Sequence, residues 1–351
     1  MIGTALPFLK GSRTLYLRSS FFDEKNGWYP RIIQNANKPF NIDFRGIPVI
    51  GIQTKSDHDL RKMSKAYREI CFDADLVIAS PVDLACELWG LNVIGINHGI
   101  YWDHKFKKLK NFSLDEYRTI FDSIKNSSKV VAVDTNFINW TRTYDYNLAK
   151  KLIYIPNYFD GKSFFPISKN FNEKIRILYP RRLYEARGIF ITLKALDYLF
   201  GRHKEIELHL VGQTDSENKE IILEFIEKFS DRVIWEEFDM EEMYKVYQTS
   251  HIVLIPTMYA EGTSLSCIEA MSTNNAVITT NVGGLPNLII DRFNGMLINP
   301  TTEALIQSIE VLLSDRNLMK NIASRGVELS ACFEKAEWAL RWCNIINEKN
   351  S

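Results

Sequence analysis

The segment Ala260–Met271, AEGTSLSCIEAM, places Glu261 and Glu269 around a set of small hydroxyl residues, just after the apolar run His251–Pro256. Two chemistries fit this turn. Ser266 and Glu269 have the Ser-x-x-Glu spacing of a helix capping box. The same turn also suits a ligand. Unpaired backbone N–H groups at a helix start, aided by the helix dipole, attract anions. Gly262, Thr263 and Ser264 are small enough to let a phosphate or sugar come close. Glu261 precedes the helix and Glu269 lies up to ~12 Å further along it at the rise of an α-helix. That is roughly the reach of a nucleotide sugar, with one carboxylate near each of two hydroxyl-bearing rings, and carboxylates accept hydrogen bonds from vicinal hydroxyls well. Capping and ligand binding are compatible at one turn.

Other strand ends carry matching chemistry. After IRILYP (175–180) comes Arg181-Arg182-Leu-Tyr-Glu-Ala-Arg187-Gly188, again leading into a helix. Arg182 and Arg187 flank that turn, and two guanidinium groups at a helix start suit a diphosphate. A single surface arginine would mean little; the pair at a strand end points to binding. After AVITT (276–280) comes Asn281-Val-Gly283-Gly284, where two glycines allow close backbone approach. In the first half, NVIGIN (92–97) runs into His98-Gly99, which places His98 at a strand end too.

These ends require strands and helices in alternation. Candidate strands in the first half are 14–18, 47–53, 75–80, 92–97 and 129–134. In the second half they are 175–180, 206–212, 232–236, 251–256, 276–280 and 295–300, with helices at 188–200, 215–229, 240–249 and 303–313 between them. Such alternation is the mark of parallel sheets covered by helices. The stretch IYIPNYFDGKSFFP (153–166) breaks the pattern and reads as the interdomain connection. The expected organisation is therefore an α/β chain of two doubly wound, Rossmann-like domains, 1–156 and 157–332, followed by a terminal helix at 333–351. Open α/β sheets bind ligands beyond the carboxyl ends of their strands, so two such domains would face a ligand across a cleft.

Taken together, EGTSLSCIEAM, RRLYEARG, VGGLPNLIIDRFNGMLINP, INHG and IPNYFD resemble the family-4 retaining glycosyltransferases of GT-B fold, from about Asp75 to the end. The first two segments correspond to that family's E-x7-E and R-L-x-x-x-K-G elements. The resemblance implies a nucleoside diphosphate sugar as donor, a glycan or lipid-linked glycan as acceptor, and no cofactor or metal. It implies that Glu261 contacts donor sugar hydroxyls, Glu269 the ribose, and that Arg182 and Arg187 hold the diphosphate. His98 would face the reacting sugar, while Gly262, Thr263, Ser264, Leu265 and Gly212 would line the donor site. The terminal helix would return toward the first domain. Two departures stand out. Arg187 replaces a lysine, and the Gly-Gly loop usual after the first strand is represented only by FFDEKNGWYP, with one glycine. A sugar-nucleotide epimerase of the same fold, or an inactive nucleotide-sugar-binding subunit, are the alternatives; the E-x7-E spacing speaks against the former and the intact glutamates against the latter.

Composition narrows the class further. A quarter of the 351 residues are charged and 46% are hydrophobic, as in globular proteins, and no apolar run approaches a membrane span. The opening residues lack the pattern of a secretory signal. The 5 cysteines form no Cys-x-x-Cys pair and the 6 histidines no ligand spacing, so neither a disulfide frame nor a zinc site is expected. The expected location is therefore the cytoplasm, at most peripheral to the inner face of a membrane. Two Asp-x-Asp matches, Asp57/Asp59 and Asp73/Asp75, read as a helix first turn and as a strand entry away from the cleft, not as metal ligands. The zero net charge conceals an asymmetry: 22 Lys/Arg against 16 Asp/Glu up to Pro156, and 21 against 27 thereafter. DHKFKKLKNF (103–112) concentrates Lys105, Lys107, Lys108 and Lys110 beside Phe106, Leu109 and Phe112, a pattern suited to an anionic membrane surface on the acceptor side.

Overall fold

The computed structural model describes residues 13–23, 27–35, 40–44, 47–52, 60–72, 74–100 and 114–348. The lysine-rich segment 103–112, Asp57, Asp59 and Asp73 lie outside these residues. The chain divides into two compact units, Met1–Ile155 and Pro156–Ser351.

Among the described residues, the first unit is built on one eight-stranded sheet in the order β3-β4-β2-β1-β5-β6-β7-β8. Its strands are β1 (Arg13–Asp23), β2 (Gly27–Asn35), β3 (Phe40–Phe44), β4 (Ile47–Ile52), β5 (Leu76–Ser80), β6 (Val93–Asn97), β7 (Lys129–Ala132) and β8 (Leu152–Tyr154). From β5 to β8 the neighbours are parallel. Leu76–Ala79 and Val93–Asn97 are buried throughout, as expected of parallel strands covered on both faces. Helices α1 (Leu60–Ile70), α2 (Leu114–Asn126), α3 (Thr135–Tyr144) and α4 (Tyr146–Ala149) belong to this unit. Met63 and Tyr67 of α1, with Cys71 just past its end, pack with Val77 and Ala79, while Ile120 and Ile124 of α2 pack with Val130, Ala132 and Phe137.

The other half of that sheet differs from the regular parallel pattern. β1 runs antiparallel to both β2 and β5, and β3 antiparallel to β4. The segment FFDEKNGWYP thus joins two antiparallel strands, with Asp23 opposite Gly27, and does not lead into a helix. Pro30, opposite Leu17, lacks a backbone donor and breaks the apolar pattern of β2, which is why this strand was not legible in the sequence.

The second unit carries a six-stranded sheet in the order β11-β10-β9-β12-β13-β14, parallel throughout. Its strands are β9 (Ile175–Tyr179), β10 (Ile206–Val211), β11 (Val233–Glu236), β12 (Ile252–Ile255), β13 (Ala276–Thr280) and β14 (Met296–Ile298). In chain order this is 3-2-1-4-5-6, the doubly wound arrangement of dinucleotide-binding folds. Helices α5 (Ile189–Phe200), α6 (Ser216–Lys228), α7 (Met243–Thr249), α8 (Leu265–Ser272), α9 (Thr302–Ser314), α10 (Arg316–Ser330) and α11 (Lys335–Asn347) complete it. The alternation of strand side chains divides the core in two. Ile252 and Leu254 join Ile177, Leu208 and Ile278 under α5, α9 and α10. Val253 and Ile255 join Leu178 and Val277 on the opposite face, under Val246, Cys267, Ile268 and Met271 of α7 and α8.

The last helix belongs to this second unit. Glu334 caps α11 by accepting from the Ala336 amide, and the start of the helix is fastened to residues 158–160. Lys335 pairs with Asp160 at 2.8 Å, and the Tyr158 and Trp338 rings lie 4.6 Å apart. Among the described residues no helix is long and apolar enough to cross a membrane.

Candidate functional site

In a 3-2-1-4-5-6 sheet the connections leaving strands 1 and 4 go to opposite faces, and the crevice between them is where ligands bind. Here those strands are β9 and β12, which are neighbours. The segments that leave them, Pro180–Gly188 and Pro256–Ser264, are the two that the sequence singled out.

Backbone contacts lace these segments together. The Met258 amide donates to the Ala186 carbonyl at 3.0 Å. Gly188, at φ +83°, lies so close that a Cβ there would fall 1.9 Å from the Pro256 carbonyl oxygen. The Gly-Gly turn after β13 closes the other side: the Gly284 amide donates to the Glu261 carbonyl at 2.9 Å, and a Cβ on Gly283 (φ +58°) would fall 2.1 Å from that same oxygen. Only glycine fits such positions without strain. Gly212 ends β10, its amide donating to Glu236 and its carbonyl accepting from the Trp235 indole. The Leu183 amide, bonded to the Gln213 carbonyl at 2.8 Å, ties that end to the arginine segment.

At the centre stands Glu261, whose side chain is 10% exposed. Its Oε2 accepts from three side chains: Arg181 Nη2, Arg187 Nη1 at 2.7 Å and Thr257 Oγ1 at 2.8 Å. The other arm of the buried Arg181 guanidinium donates to Thr257 Oγ1, which closes a ring of three side chains. Beneath them the Tyr179 hydroxyl donates to the Arg187 carbonyl at 2.9 Å. Burial pushes the Glu261 carboxyl upward, but Arg181 and Arg187 outweigh it and hold the group below the usual range. Two cations on one anion leave a net positive charge. Arg187, at 29% exposure, is the more accessible of the two.

Arg182 is exposed, with its guanidinium 5.8 Å from the Tyr184 ring centre, and is not among the donors to Glu261. Arg181 holds the place in the cluster beside Arg187. Neither Arg181 nor Thr257 was singled out from the sequence. Both immediately follow a strand and its proline, which is the signal that could have found them.

Ser264 is the N-cap of α8 but makes no side-chain capping bond. The expected Ser266–Glu269 capping box does not form. Ser266 is already inside the helix, and its hydroxyl donates to the Pro180 carbonyl at 3.2 Å. The serine thus joins α8 to the end of β9, and Glu269 is left for other contacts. Thr263 and Ser264 are buried, Gly262 partly so, and Leu265 exposed. Asn157 holds this turn by two bonds to Thr263, each 3.1 Å. Glu269 itself lies partly buried in α8, beside the Tyr247 hydroxyl. Burial pushes its carboxyl up to about 7.

In the first unit, His98 follows β6 and is exposed, its Nε2 2.8 Å from Ser80 Oγ at the end of the neighbouring β5. Buried Asn97 shapes the turn by accepting from the Gly99 amide at 2.9 Å. Lys105, Lys107, Lys108 and Lys110 lie outside the described residues. Among the described residues no cluster of three or more His, Cys, Asp or Glu side chains could hold a metal ion.

The arrangement has relatives. Among solved structures, sucrose-phosphate synthase from Thermosynechococcus elongatus matches with a TM-score of 0.72 and 20% identity, over 90% of this chain and 86% of that one. Anabaena HepE in complex with UDP matches at TM-score 0.70 and 16% identity, over 87% of each chain. Two Rossmann-like units with these neighbours define the GT-B fold of glycosyltransferases. More narrowly, residues 161–328, most of the second unit, match the model of the glycosyl transferases group 1 family. The lipopolysaccharide 1,2-N-acetylglucosaminetransferase of Salmonella typhimurium is 26% identical over 172 residues, 46% of this chain and 44% of the relative. The capsular polysaccharide biosynthesis glycosyltransferase CapM of Staphylococcus aureus is 24% identical over 161 residues, 45% of this chain and 42% of the relative. The chain thus spans less than half the length of these curated relatives.

Proposed function

We propose that the protein transfers a sugar from a nucleoside diphosphate sugar to a glycan or lipid-linked glycan, with retention at the anomeric carbon, during lipopolysaccharide or capsular polysaccharide assembly. The observation that carries this reading is the Arg181–Arg187–Glu261 cluster at the switch point of the second sheet. A carboxylate fixed beside a surplus cation suits a ligand that carries hydroxyls at one end and a diphosphate at the other. In this reading Glu261 meets the donor sugar, Glu269 the ribose, and Arg187 with Arg182 the diphosphate. His98 faces the reacting sugar from the first unit. Preorganised cations that stabilise a leaving group are commonly the largest catalytic contribution. No divalent metal is invoked, because the arginines and the α8 amides face the charge that grows on the leaving diphosphate. The names of the matched relatives support the pathway class, and the UDP held by HepE supports the donor class.

The test is consumption of a panel of nucleotide sugars, with and without EDTA, with product configuration followed by NMR. One or a few donors should be consumed, with EDTA without effect and the anomeric configuration retained. Interconversion of sugars without an acceptor would show an epimerase. Binding of a donor without turnover in any acceptor mixture would show a non-catalytic subunit.

A further inference from the structure

We infer that Arg181 is a positioning residue: it locks one oxygen of Glu261 in place and so leaves the other oxygen as the single acceptor offered to the ligand. This inference rests on the donor-site reading above. Three observations support it. Among the described residues, three side chains bond the carboxylate, Arg181, Arg187 and Thr257, and all three converge on Oε2 with none on Oε1. Arg181 is 6% exposed, so it is a fixed part of the floor, and water cannot replace it cheaply. Arg181 also holds Thr257, so two of the three donors to Oε2 depend on it.

The consequence is a division of labour between the two arginines. Were Arg187 the only cation beside Glu261, its departure to a phosphate would strand a buried carboxylate without a counter-charge, which is strongly unfavourable. With Arg181 in place, Arg187 can leave Glu261 for an anion and the carboxylate remains neutralised and aimed. Glu261 then presents one oxygen to one hydroxyl, a narrower reading of the sugar than a two-oxygen grip on a vicinal pair. Among the described residues, the groups that face Glu261 are Arg181 and Arg187 from the segment after β9, Tyr179 from β9 itself, Thr257 after β12, and the buried Cys267 thiol from α8. Burial pushes both the Tyr179 hydroxyl and the Cys267 thiol upward, so neither titrates together with a carboxylate.

The experiment compares Arg181→Met, Arg181→Lys and Thr257→Val with the wild type, each first checked for folding by circular dichroism and thermal melting. For Arg181→Met, donor turnover should fall on the order of 10²-fold through lost alignment, with the donor KM changed far less. The acid limb of its kcat profile should move toward neutral pH, because a buried carboxylate has lost a cation. Arg181→Lys should restore most of that limb and only part of kcat. Thr257→Val, which keeps both cations but removes one donor to the carboxylate, should lower kcat and move the limb far less than Arg181→Met, and it stands in should Arg181→Met not fold. An acid limb unmoved in Arg181→Met, or a loss of kcat in Arg181→Lys equal to that in Arg181→Met, would overturn the inference. So would a Thr257→Val enzyme with wild-type kcat. Carboxyl 13C titration of Glu261 in the wild type and Arg181→Met needs no turnover. If the wild type consumes no nucleotide sugar, the function reading fails, while an unmoved Glu261 titration is a separate failure of the positioning role.

Discussion

The two glutamates of the E-x7-E segment sit in opposite electrostatic settings. Glu261 is held charged by two arginines, whereas the Glu269 carboxyl is pushed by burial from 4.5 up to about 7. Different consequences of substitution follow. Glu261→Gln keeps the shape and removes the charge that should matter most as the sugar becomes positive, so kcat should fall far more than donor affinity, as steady-state kinetics would show. Glu269→Gln should act mainly on KM. Because the folded state favours the protonated form of Glu269, the wild type loses stability as pH rises from the unfolded value near 4.5 through the folded value near 7. At about 1.4 kcal/mol per unit, the loss is on the order of 3 kcal/mol at most. Melting curves should therefore show Glu269→Gln gaining on the wild type between pH 5 and 8. Ligand hydroxyls that donate to the carboxylate would offset this cost, so the wild-type donor KM should fall as pH rises from 6 to 8. A KM that keeps the same pH dependence in Glu269→Gln would remove Glu269 from the donor site.

At the scale of elements, the second unit was readable almost strand by strand, because each parallel strand is an apolar run followed at once by a small or charged turn. That is why 175–180, 251–256 and 276–280 coincide closely with β9, β12 and β13. Three things were not readable. β2, the antiparallel partner of the strand expected at 14–18, contains Pro30 and mixed polar residues, so it lacks both periodicities. β8 is only Leu152–Tyr154 and merged with the connecting stretch. The choice of Arg181 over Arg182 for the buried cluster depends on which way a side chain leaves the loop, and spacing alone does not fix that. The glycines were legible as flexible turns, but their reason is tertiary. Gly188 both starts α5 in a left-handed conformation and touches the carbonyl of Pro256. Gly188→Ala would meet a left-handed penalty of roughly 1–2 kcal/mol plus a backbone clash. With Tm moving roughly 2–4 °C per kcal/mol in a domain of this size, calorimetry should find a drop of several degrees or more. Gly283→Ala should add a kcat loss, since the atom it would strike is the Glu261 carbonyl. A Gly188→Ala protein as stable as the wild type would mean the two loops are not packed as described.

At the scale of the whole molecule, charge is divided between the two parts of the chain. Residues up to Pro156 hold 22 Lys/Arg against 16 Asp/Glu, and the remainder holds 21 against 27. The basic excess belongs with the part that, in the proposed function, serves the acceptor. Its densest run is Lys105, Lys107, Lys108 and Lys110, interleaved with Phe106, Leu109 and Phe112 and placed shortly after His98. Each lysine near an anionic bilayer contributes about 1 kcal/mol, and four together approach the strength of a reversible surface attachment. The apolar residues between them can enter the headgroup boundary. Attachment by charge must weaken with salt, because the Debye length shrinks to a few ångströms near molar ionic strength. The protein should therefore sediment with vesicles containing anionic lipid at low salt, release at high salt, and ignore vesicles of neutral lipid. Replacing the four lysines with glutamine should abolish sedimentation while donor hydrolysis, which depends on the second unit's site, stays at the wild-type rate. Equal sedimentation of the wild type and the glutamine variant would exclude this segment as the contact, and the basic surplus would then have to act through residues elsewhere in the first unit.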